Sequence, residues 1–265
     1  MKRIAIISIY VLSALVGIAA FIYPFLLPGL QPADPLSDPT ASSLRLTDAP
    51  LLTSLLVMIS MGALLVEIHG QAVNAKVVAA LGVLVAVASV LRFIETAIPG
   101  PGGFSPIFVP IILAGYVFGP RFGFLMGVLT LLASALLTAG IGPWLPYQML
   151  VSGWVGMSAG WLPRPQRERL ELFMLVGFAI LWGLSFGFVI NLYFWPFVAG
   201  DMATAWEPGL SIMDGLKRYG AFYLATSVLW DLVRAVGNAV LIVAVGIPTV
   251  RALERFRRRF EFELV

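Results

Sequence analysis

A chain of 265 residues in which 60% are hydrophobic and 12% are charged cannot be hidden in a soluble fold, so its solvent must be lipid. Its apolar residues fall in runs of about 20, the length of a helix that crosses roughly 30 Å of hydrocarbon, and this excludes a barrel of alternating strands. The net charge is +3. Except at the chain end, the basic residues form no stripe interleaved with aromatic residues, so nucleic acid is not an expected partner.

Apolar runs between helix-breaking residues predict eight transmembrane helices. They cover about residues 4–26, 51–68, 76–94, 104–119, 121–140, 146–162, 170–195 and 219–247. The first run follows Lys2 and Arg3 as in a secretory signal, but it is longer than a typical signal core and has no clear cleavage site, so we expect a retained helix. Pro106 and Pro110 predict that the fourth helix is kinked or partly outside the hydrocarbon.

The pattern divides the chain into three parts. Residues 1–70 form an N-terminal two-helix extension, residues 71–250 a six-helix membrane domain, and residues 251–265 a basic cytoplasmic tail. No internal repeat is visible, so an inverted-repeat secondary transporter is not supported. The expected fold class is an all-α polytopic membrane protein, a six-helix bundle with two extra N-terminal helices.

Basic residues predict the orientation of the chain. An even number of helices puts both termini on one side, and the arginines between positions 251 and 259 indicate that this side is the cytoplasm. Twelve of the 17 Lys and Arg residues then lie inside, three lie outside and two lie within helices. We therefore expect a multi-pass protein of the bacterial inner membrane, with segments 31–50 and 196–218 exposed outside.

The residue types also limit the chemistry. The chain has no cysteine and one histidine, so thiolate metal sites and cysteine nucleophiles are excluded and no metal site is expected. No Ser/His/Asp arrangement, carboxylate pair or phosphate-binding P-loop is present. We expect a protein that is not an enzyme and needs no cofactor.

The third predicted helix carries a stripe of small residues. Spacings of 4, 3, 4 and 3 place on one face Ala75, Ala79, Gly82, Ala86 and Ser89. Such a stripe permits close contact between helices. It either packs inside the bundle or docks onto another membrane subunit, and similar glycine spacings elsewhere in the chain favour internal packing.

The last predicted helix places three polar side chains on one face near the middle of the membrane. Asp231, Arg234 and Asn238 stand at i, i+3 and i+7, where a charge is costly unless it is paired or faces a polar cavity. They form either a self-neutralised pair that fixes packing or the polar floor of a substrate cavity. Other helices would add to that cavity Tyr147, Gln148, Asn191 and Arg92, although Arg92 is better explained as an interfacial pair with Glu95.

Aromatic residues gather near the outer ends of the later helices. Trp144, Tyr147 and Tyr193 belong to this group, in which about half of the members are explained by an ordinary interfacial belt. Trp144 lies between prolines in a very short loop. It is therefore the best candidate for a rigid stacking surface.

The order of features from Lys76 to Gly160 resembles the substrate-binding S component of energy-coupling factor (ECF) vitamin transporters. The resemblance covers the small-residue helix, Gly102 to Pro106 leading to Ile112 to Pro120, and Gly142 to Trp144 before Gly153 to Gly160. With the last two helices it extends from about residue 75 to residue 250. The two extra N-terminal helices depart from the six-helix pattern of that family.

The resemblance implies a binding protein whose vitamin pocket opens outward beneath a loop, here about Glu95 to Phe104. It also implies that the small-residue helix docks onto a transmembrane coupling protein, with two cytoplasmic ATPases supplying the energy. The docking residues would be Ala75, Ala79, Gly82 and Ala86. On this reading the stripe is a docking surface rather than internal packing.

The expected ligand is a large, partly aromatic vitamin. Cobalamin is the first choice, because the segment from Gly142 to Gln148 resembles cobalamin-type members, and riboflavin, a queuosine precursor or another small solute is the alternative. The site would combine aromatic rings, amides and the charged pair from Trp144, Tyr147, Gln148, Asn191, Tyr193, Asp231, Arg234 and Asn238. The rival classes are a membrane enzyme acting on lipid or isoprenoid and a scaffold subunit without a ligand.

Overall fold

Every regular element of the computed structural model is helical within the residues that it describes, which are 11, 15, 17–22, 25, 75–97, 102–142, 144–197, 203–207 and 209–261. Helices α1 to α7 span Ala75–Ala97, Phe108–Phe118, Pro120–Thr138, Leu145–Ala159, Glu168–Phe194, Ile212–Thr226 and Val228–Glu261, and a 3-10 helix, Trp195–Phe197, follows α5. The prediction of an all-α fold is confirmed. The predicted helix 51–68 lies outside the described residues, and so does most of 4–26.

Four of the described helices are long and apolar enough to cross a membrane. The candidate spans are Val77–Ala97, Pro120–Thr138, Glu168–Phe194 and Val228–Arg258, and α2 is a shorter apolar helix. Pro110 lies in the first turn of α2, where a proline removes no intrahelical hydrogen bond. The prediction of a polytopic membrane protein is confirmed, and the fourth predicted helix begins at Phe108 rather than at residue 104.

The predicted boundaries after residue 195 are wrong in two respects. Part of the expected outer loop 196–218 forms α6, and the expected helix 219–247 is divided at Ser227. α7 then continues through Pro248 to Glu261. Arg and Glu are good helix formers, so the basic segment extends the helix instead of ending it. The division of the chain into parts 1–70, 71–250 and 251–265 stays a prediction.

Ser211 begins α6 as its N-cap. Its hydroxyl oxygen accepts a hydrogen bond from the backbone N–H of Asp214 at 3.1 Å, which satisfies one of the free donors of the first turn. The same hydroxyl lies 2.7 Å from the Asp214 carboxylate. This hydrogen bond, together with the nearby Lys217 ammonium, lowers the pKa of Asp214.

The chain divides into two compact units. The larger unit consists of Ala72–Gly187 and Leu229–Val265, and the smaller unit of Met1–Gln71 and Phe188–Val228.

Backbone contacts between glycines hold the larger unit together. α3 and α4 share the most extensive contact, α2 packs on both, and α1 packs on α3. A Cβ atom added to Gly123 would collide with the carbonyl oxygen of Gly156, and one added to Gly156 would collide with that of Gly123. Small residues allow this approach in a membrane, where close packing replaces the hydrophobic effect as the force between helices.

An aromatic cluster forms the core of the smaller unit. Trp195, Tyr219 and Phe222 are buried in it, and Phe25 and Trp206 pack against it. The Tyr219 hydroxyl donates a hydrogen bond to the carbonyl of Phe188, and the Trp195 indole N–H donates to the carbonyl of Thr204 at 2.7 Å. These contacts fasten α6 to the last turns of α5.

Candidate functional site

Three buried polar residues on α7, which we call the α7 triad, are Asp231, Arg234 and Asn238. Asp231 and Asn238 are each 1% exposed, and the Asp231 carboxylate forms an ion pair with Arg234 one turn further along. The pairing predicted from the i, i+3 spacing is therefore present. Gly187 of α5 lies directly against the carboxylate, and a Cβ atom at that position would collide with it.

Two aromatic rings enclose the Arg234 guanidinium. Its central carbon lies 5.9 Å from the ring centre of Phe108 and 5.1 Å from that of Phe186. The two rings meet edge to face, with their centres 4.7 Å apart. Cation–π contacts of this kind stabilise a desolvated guanidinium. The two phenylalanines come from α2 and α5, so the spacing along α7 gave no sign of them.

The triad retains hydrogen-bonding capacity. Within the described part of the chain, the Nε of Arg234 and the Oδ1 of Asn238 are buried atoms with no hydrogen-bond partner. A buried polar atom without a partner costs about 1–3 kcal/mol. One free donor and one free acceptor therefore lie a single turn apart in apolar surroundings, where a polar ligand would satisfy both.

The loop between α1 and α2 packs onto α7 on both sides of the charged pair. Gly102 and Gly103 lie against Trp230, and Phe104 lies against Gly237, so that a Cβ atom on any of these glycines would collide with its neighbour. Gly103 also has φ of +86°, a conformation that favours glycine. The segment predicted as a cover thus contacts the residues that flank the triad.

Glu95 attaches this loop to the end of α1. The Ser105 hydroxyl donates a hydrogen bond of 2.9 Å to the Glu95 carboxylate. Arg92 and Arg234 lie near enough to interact electrostatically with the same carboxylate. The interaction with Arg92 agrees with the prediction, whereas the bond to Ser105 was not predicted.

Three predicted site residues lie at the start of α4. Trp144 is 42% exposed, and its ring folds back over Gly142, where a Cβ atom would collide with it. Tyr147 is buried and Gln148 is half-buried. α4 packs against α2 and α3, whereas the triad has its contacts with α2, α5 and the loop. A shared site for these residues and the triad stays a prediction.

The other two predicted residues belong to the smaller unit. The Asn191 side-chain amide donates a hydrogen bond of 2.6 Å to the Ser227 hydroxyl. Tyr193 is half-buried, and its ring centre lies 6.1 Å from that of Phe194. Asn191 therefore has a partner within the protein, and the ligand contact proposed for it stays a prediction.

The small-residue stripe of α1 is exposed along most of its described length and buried at Ser89. Ala79, Gly82 and Ala86 are exposed, whereas Ser89 is 1% exposed. A Cβ atom at Gly82 would meet no other atom within 4 Å. The side chain of Ala75 lies outside the described residues. The three exposed positions thus offer a flat surface on α1, and Ser89 packs inward.

A second buried carboxylate, which the sequence analysis missed, lies at the other end of α7. Glu171 of α5 is 2% exposed. It accepts a hydrogen bond from the Tyr116 hydroxyl and another from Arg251, each at 2.8 Å, and Arg251 also reaches Glu254 at 3.2 Å. We call these four residues the Glu171 cluster. The available signal was a pair of carboxylates, Glu168 and Glu171, in the first turn of an apolar helix.

The family model described as the substrate-specific component of ECF transporters matches residues 76–246. The chain belongs to this family. Comparison with curated proteins and with solved structures gives no significant match. The protein is therefore a membrane-embedded, substrate-specific transport subunit that works with the other proteins of an ECF module, and it is not an enzyme.

The matched region of this substrate-specific component runs from the beginning of α1 into α7. It includes the exposed positions Ala79, Gly82 and Ala86, the loop that packs on α7 and all three residues of the triad. Glu171 also lies within the matched region, whereas its partner Arg251 lies beyond it. The resemblance drawn from the glycine and turn patterns is confirmed at the level of the family. The match identifies the family but not the substrate, so cobalamin stays a prediction.

Proposed function

We propose that this substrate-specific component binds a vitamin or related micronutrient from outside the cell at the α7 triad and delivers it inward with an ATP-driven ECF module. The main support is the pair of buried, unpartnered atoms on Arg234 and Asn238. Polar groups at this depth in a membrane protein are retained for a use, because leaving them unsatisfied destabilises the fold.

Cobalamin is our first candidate for the ligand. Its many amide groups carry both donors and acceptors, which match the free Arg234 Nε and the free Asn238 Oδ1. The aromatic rings of Phe108 and Phe186 beside the triad would pack against a flat ring system. Riboflavin, a queuosine precursor and other flat heterocycles are the alternatives within the same function.

Calorimetric titration of the purified protein in detergent tests this proposal directly. We expect tight binding of cobalamin and no response to thiamine or biotin, with riboflavin as the comparison for a smaller flat ring. Tight binding of thiamine or biotin without cobalamin binding would reject our ligand while leaving the transport function in place. A protein that binds no small molecule and retains none through purification would instead be a scaffold subunit.

We further propose that Ala79, Gly82 and Ala86 dock onto the transmembrane coupling protein of the module, with Ala75 extending the surface and two cytoplasmic ATPases driving transport. The exposure of these positions and the empty space beside Gly82 support this partner. A bulky side chain there would separate a close helix contact without entering the α7 triad.

The variant Gly82→Trp is expected to bind ligand as the parent protein does and to lose uptake in cells that contain the whole module. Leu136→Trp is the matched control, because Leu136 is an exposed residue of α3 with 66% exposure and lies on another helix. Equal loss of uptake in both variants, or loss of folding in Gly82→Trp, would contradict docking at this face.

The same proposal sets the orientation of the chain. With both termini in the cytoplasm of a bacterial inner membrane, the Lys and Arg residues divide twelve to three in favour of the inner side. The loop between α1 and α2 then faces outward, which is the side from which a nutrient arrives.

A further inference from the structure

α6 has an apolar face that is exposed in the part of the chain that the structure describes. Tyr219 and Phe222 on one side of this helix are buried in the aromatic cluster. The neighbouring side exposes four large apolar residues, Ile212 at 85%, Met213 at 62%, Leu216 at 59% and Leu224 at 65%. At 100° per residue, the charged residues Asp214, Lys217 and Arg218 occupy the remaining arc.

α6 lies across the end of α5 rather than alongside it. The Tyr219 ring contacts the rings of both Phe188 and Trp195, at 5.0 Å and 4.9 Å. Ser227 follows Tyr219 by eight residues, about 12 Å along a helix axis. Ser227 nevertheless bonds to Asn191, which lies between Phe188 and Trp195 in the chain. If α6 ran parallel or antiparallel to α5, Ser227 would lie about two helical turns along α5 from the contacts of Tyr219. Because both residues contact the same stretch, the axes of α5 and α6 cross steeply.

The C-terminal end of α6 is tied to a membrane-spanning helix. α5 ends at Phe194, and α7 begins at Val228, with only Ser227 between it and α6. One residue spans less than 4 Å. The C-terminal end of α6 is therefore held where α7 begins, and a helix that crosses α5 steeply from that point runs along the membrane surface.

We propose that α6 is an in-plane helix of the membrane interface, with Ile212, Met213, Leu216 and Leu224 inserted between lipid acyl chains. An apolar arc beside a charged arc on a helix that follows the membrane plane is the arrangement of interfacial amphipathic helices. Lys217 borders the apolar arc with a side chain that is 71% exposed, which suits the phosphate groups of lipids. Lipid is favoured over a protein partner because α6 leads directly into the spanning helix α7. This surface is independent of the ligand proposed above.

Site-directed spin labelling tests the proposal in the full-length chain, which has no cysteine of its own. Single cysteines at positions 213, 216 and 224 carry a nitroxide, and the protein is reconstituted in phosphatidylcholine vesicles. Collisions with oxygen, which concentrates in lipid, are compared with collisions with a water-soluble nickel chelate. We expect these three labels to favour oxygen several-fold over labels at Asp214 and Lys217. A label at Leu136, on the exposed face of a spanning helix, gives the reference for full lipid exposure.

Two results would overturn the proposal. Labels at 213, 216 and 224 that collide with nickel as often as the label at Lys217 would put this face in water. Labels that collide with neither reagent would put it against protein, such as a second copy of the chain. The replaced side chains are mostly exposed, so the labelled variants are expected to fold, and circular dichroism of each one checks this.

Discussion

The two buried carboxylates of the spanning helices, Glu171 and Asp231, differ in how completely their surroundings are satisfied. Glu171 has a separate partner for each oxygen, and those partners come from two other helices. Asp231 is paired with an arginine of its own helix, and the Arg234 Nε and Asn238 Oδ1 beside it have no hydrogen-bond partner among the residues that the structure describes. The Glu171 and Asp231 carboxylates are both almost completely buried, so burial alone does not distinguish them.

From this difference we expect a structural role for the Glu171 cluster and a binding role for the α7 triad. A buried ion pair with all its hydrogen bonds made across helices fixes those helices relative to one another. An ion pair between two residues of one helix does not by itself fix two helices relative to one another, and the Arg234 Nε and Asn238 Oδ1 beside it would be available to a ligand. Damage to the Glu171 cluster should therefore lower stability alone, whereas damage to the α7 triad should lower ligand affinity as well.

The largest effect is expected for Arg234→Met. This variant leaves the Asp231 carboxylate buried without its counter-ion, which lowers the free energy of unfolding by about 3–5 kcal/mol. Binding of cobalamin should be lost at the same time. The measurements are thermal unfolding and calorimetric titration of the purified protein in detergent.

The double variant Asp231→Asn with Arg234→Gln is the control for this effect. Removing both charges should restore most of the stability, because no uncompensated charge remains. We expect ligand affinity to stay low. If the double variant recovers stability and affinity together, the charged pair only supports the helix and the proposed site is wrong.

Arg251→Met is expected to have a smaller effect that is confined to stability. The free energy of unfolding should fall by about 2–3 kcal/mol. This is less than for a fully buried ion pair, because the Arg251 side chain is 40% exposed. Affinity for cobalamin should not change in the folded protein. Arg255→Met, at an exposed position one turn further along α7, provides the matched control. A loss of affinity in Arg251→Met would remove the contrast between the two carboxylates.

Asn238→Leu should change stability least. The substitution removes an acceptor that has no partner, so the free energy of unfolding should stay within about 1 kcal/mol of the parent value. Affinity should fall about tenfold or more, which corresponds to about 1.4 kcal/mol of binding free energy. Ile242→Leu, at a buried position one turn further along α7, should keep full affinity. Unchanged affinity in Asn238→Leu would exclude this amide from the site.

Hydropathy and turn residues predicted most of the helices to within a few residues, because each spanning helix must satisfy its own backbone in lipid. The prediction of helix boundaries failed at α6, which is not a spanning helix. α6 carries Asp214, Lys217 and Arg218 in one short stretch, so it did not stand out as an apolar run. Its division from α7 falls at Ser227, which is neither glycine nor proline and gave no sign of a break.

The candidate site was predictable only along a single helix. Periodicity placed Asp231, Arg234 and Asn238 on one face of α7 without knowledge of other elements. The rings around Arg234, the hydrogen bond between Ser105 and Glu95, and the partners of Glu171 depend on contacts between helices distant in sequence. One sequence contains no direct record of those contacts, so they became visible only in the folded structure.

The contact between Gly123 and Gly156 also has a mechanical consequence. Two backbones that touch directly have no side chain between them that can change rotamer to absorb a displacement, and packed interiors are not continuously deformable. α2, α3 and α4 should therefore move as one rigid body. Any rearrangement that accompanies release of the substrate would then occur where α5, α7 and the loop between α1 and α2 meet this rigid body. The internal geometry of α2, α3 and α4 would stay constant through the transport cycle.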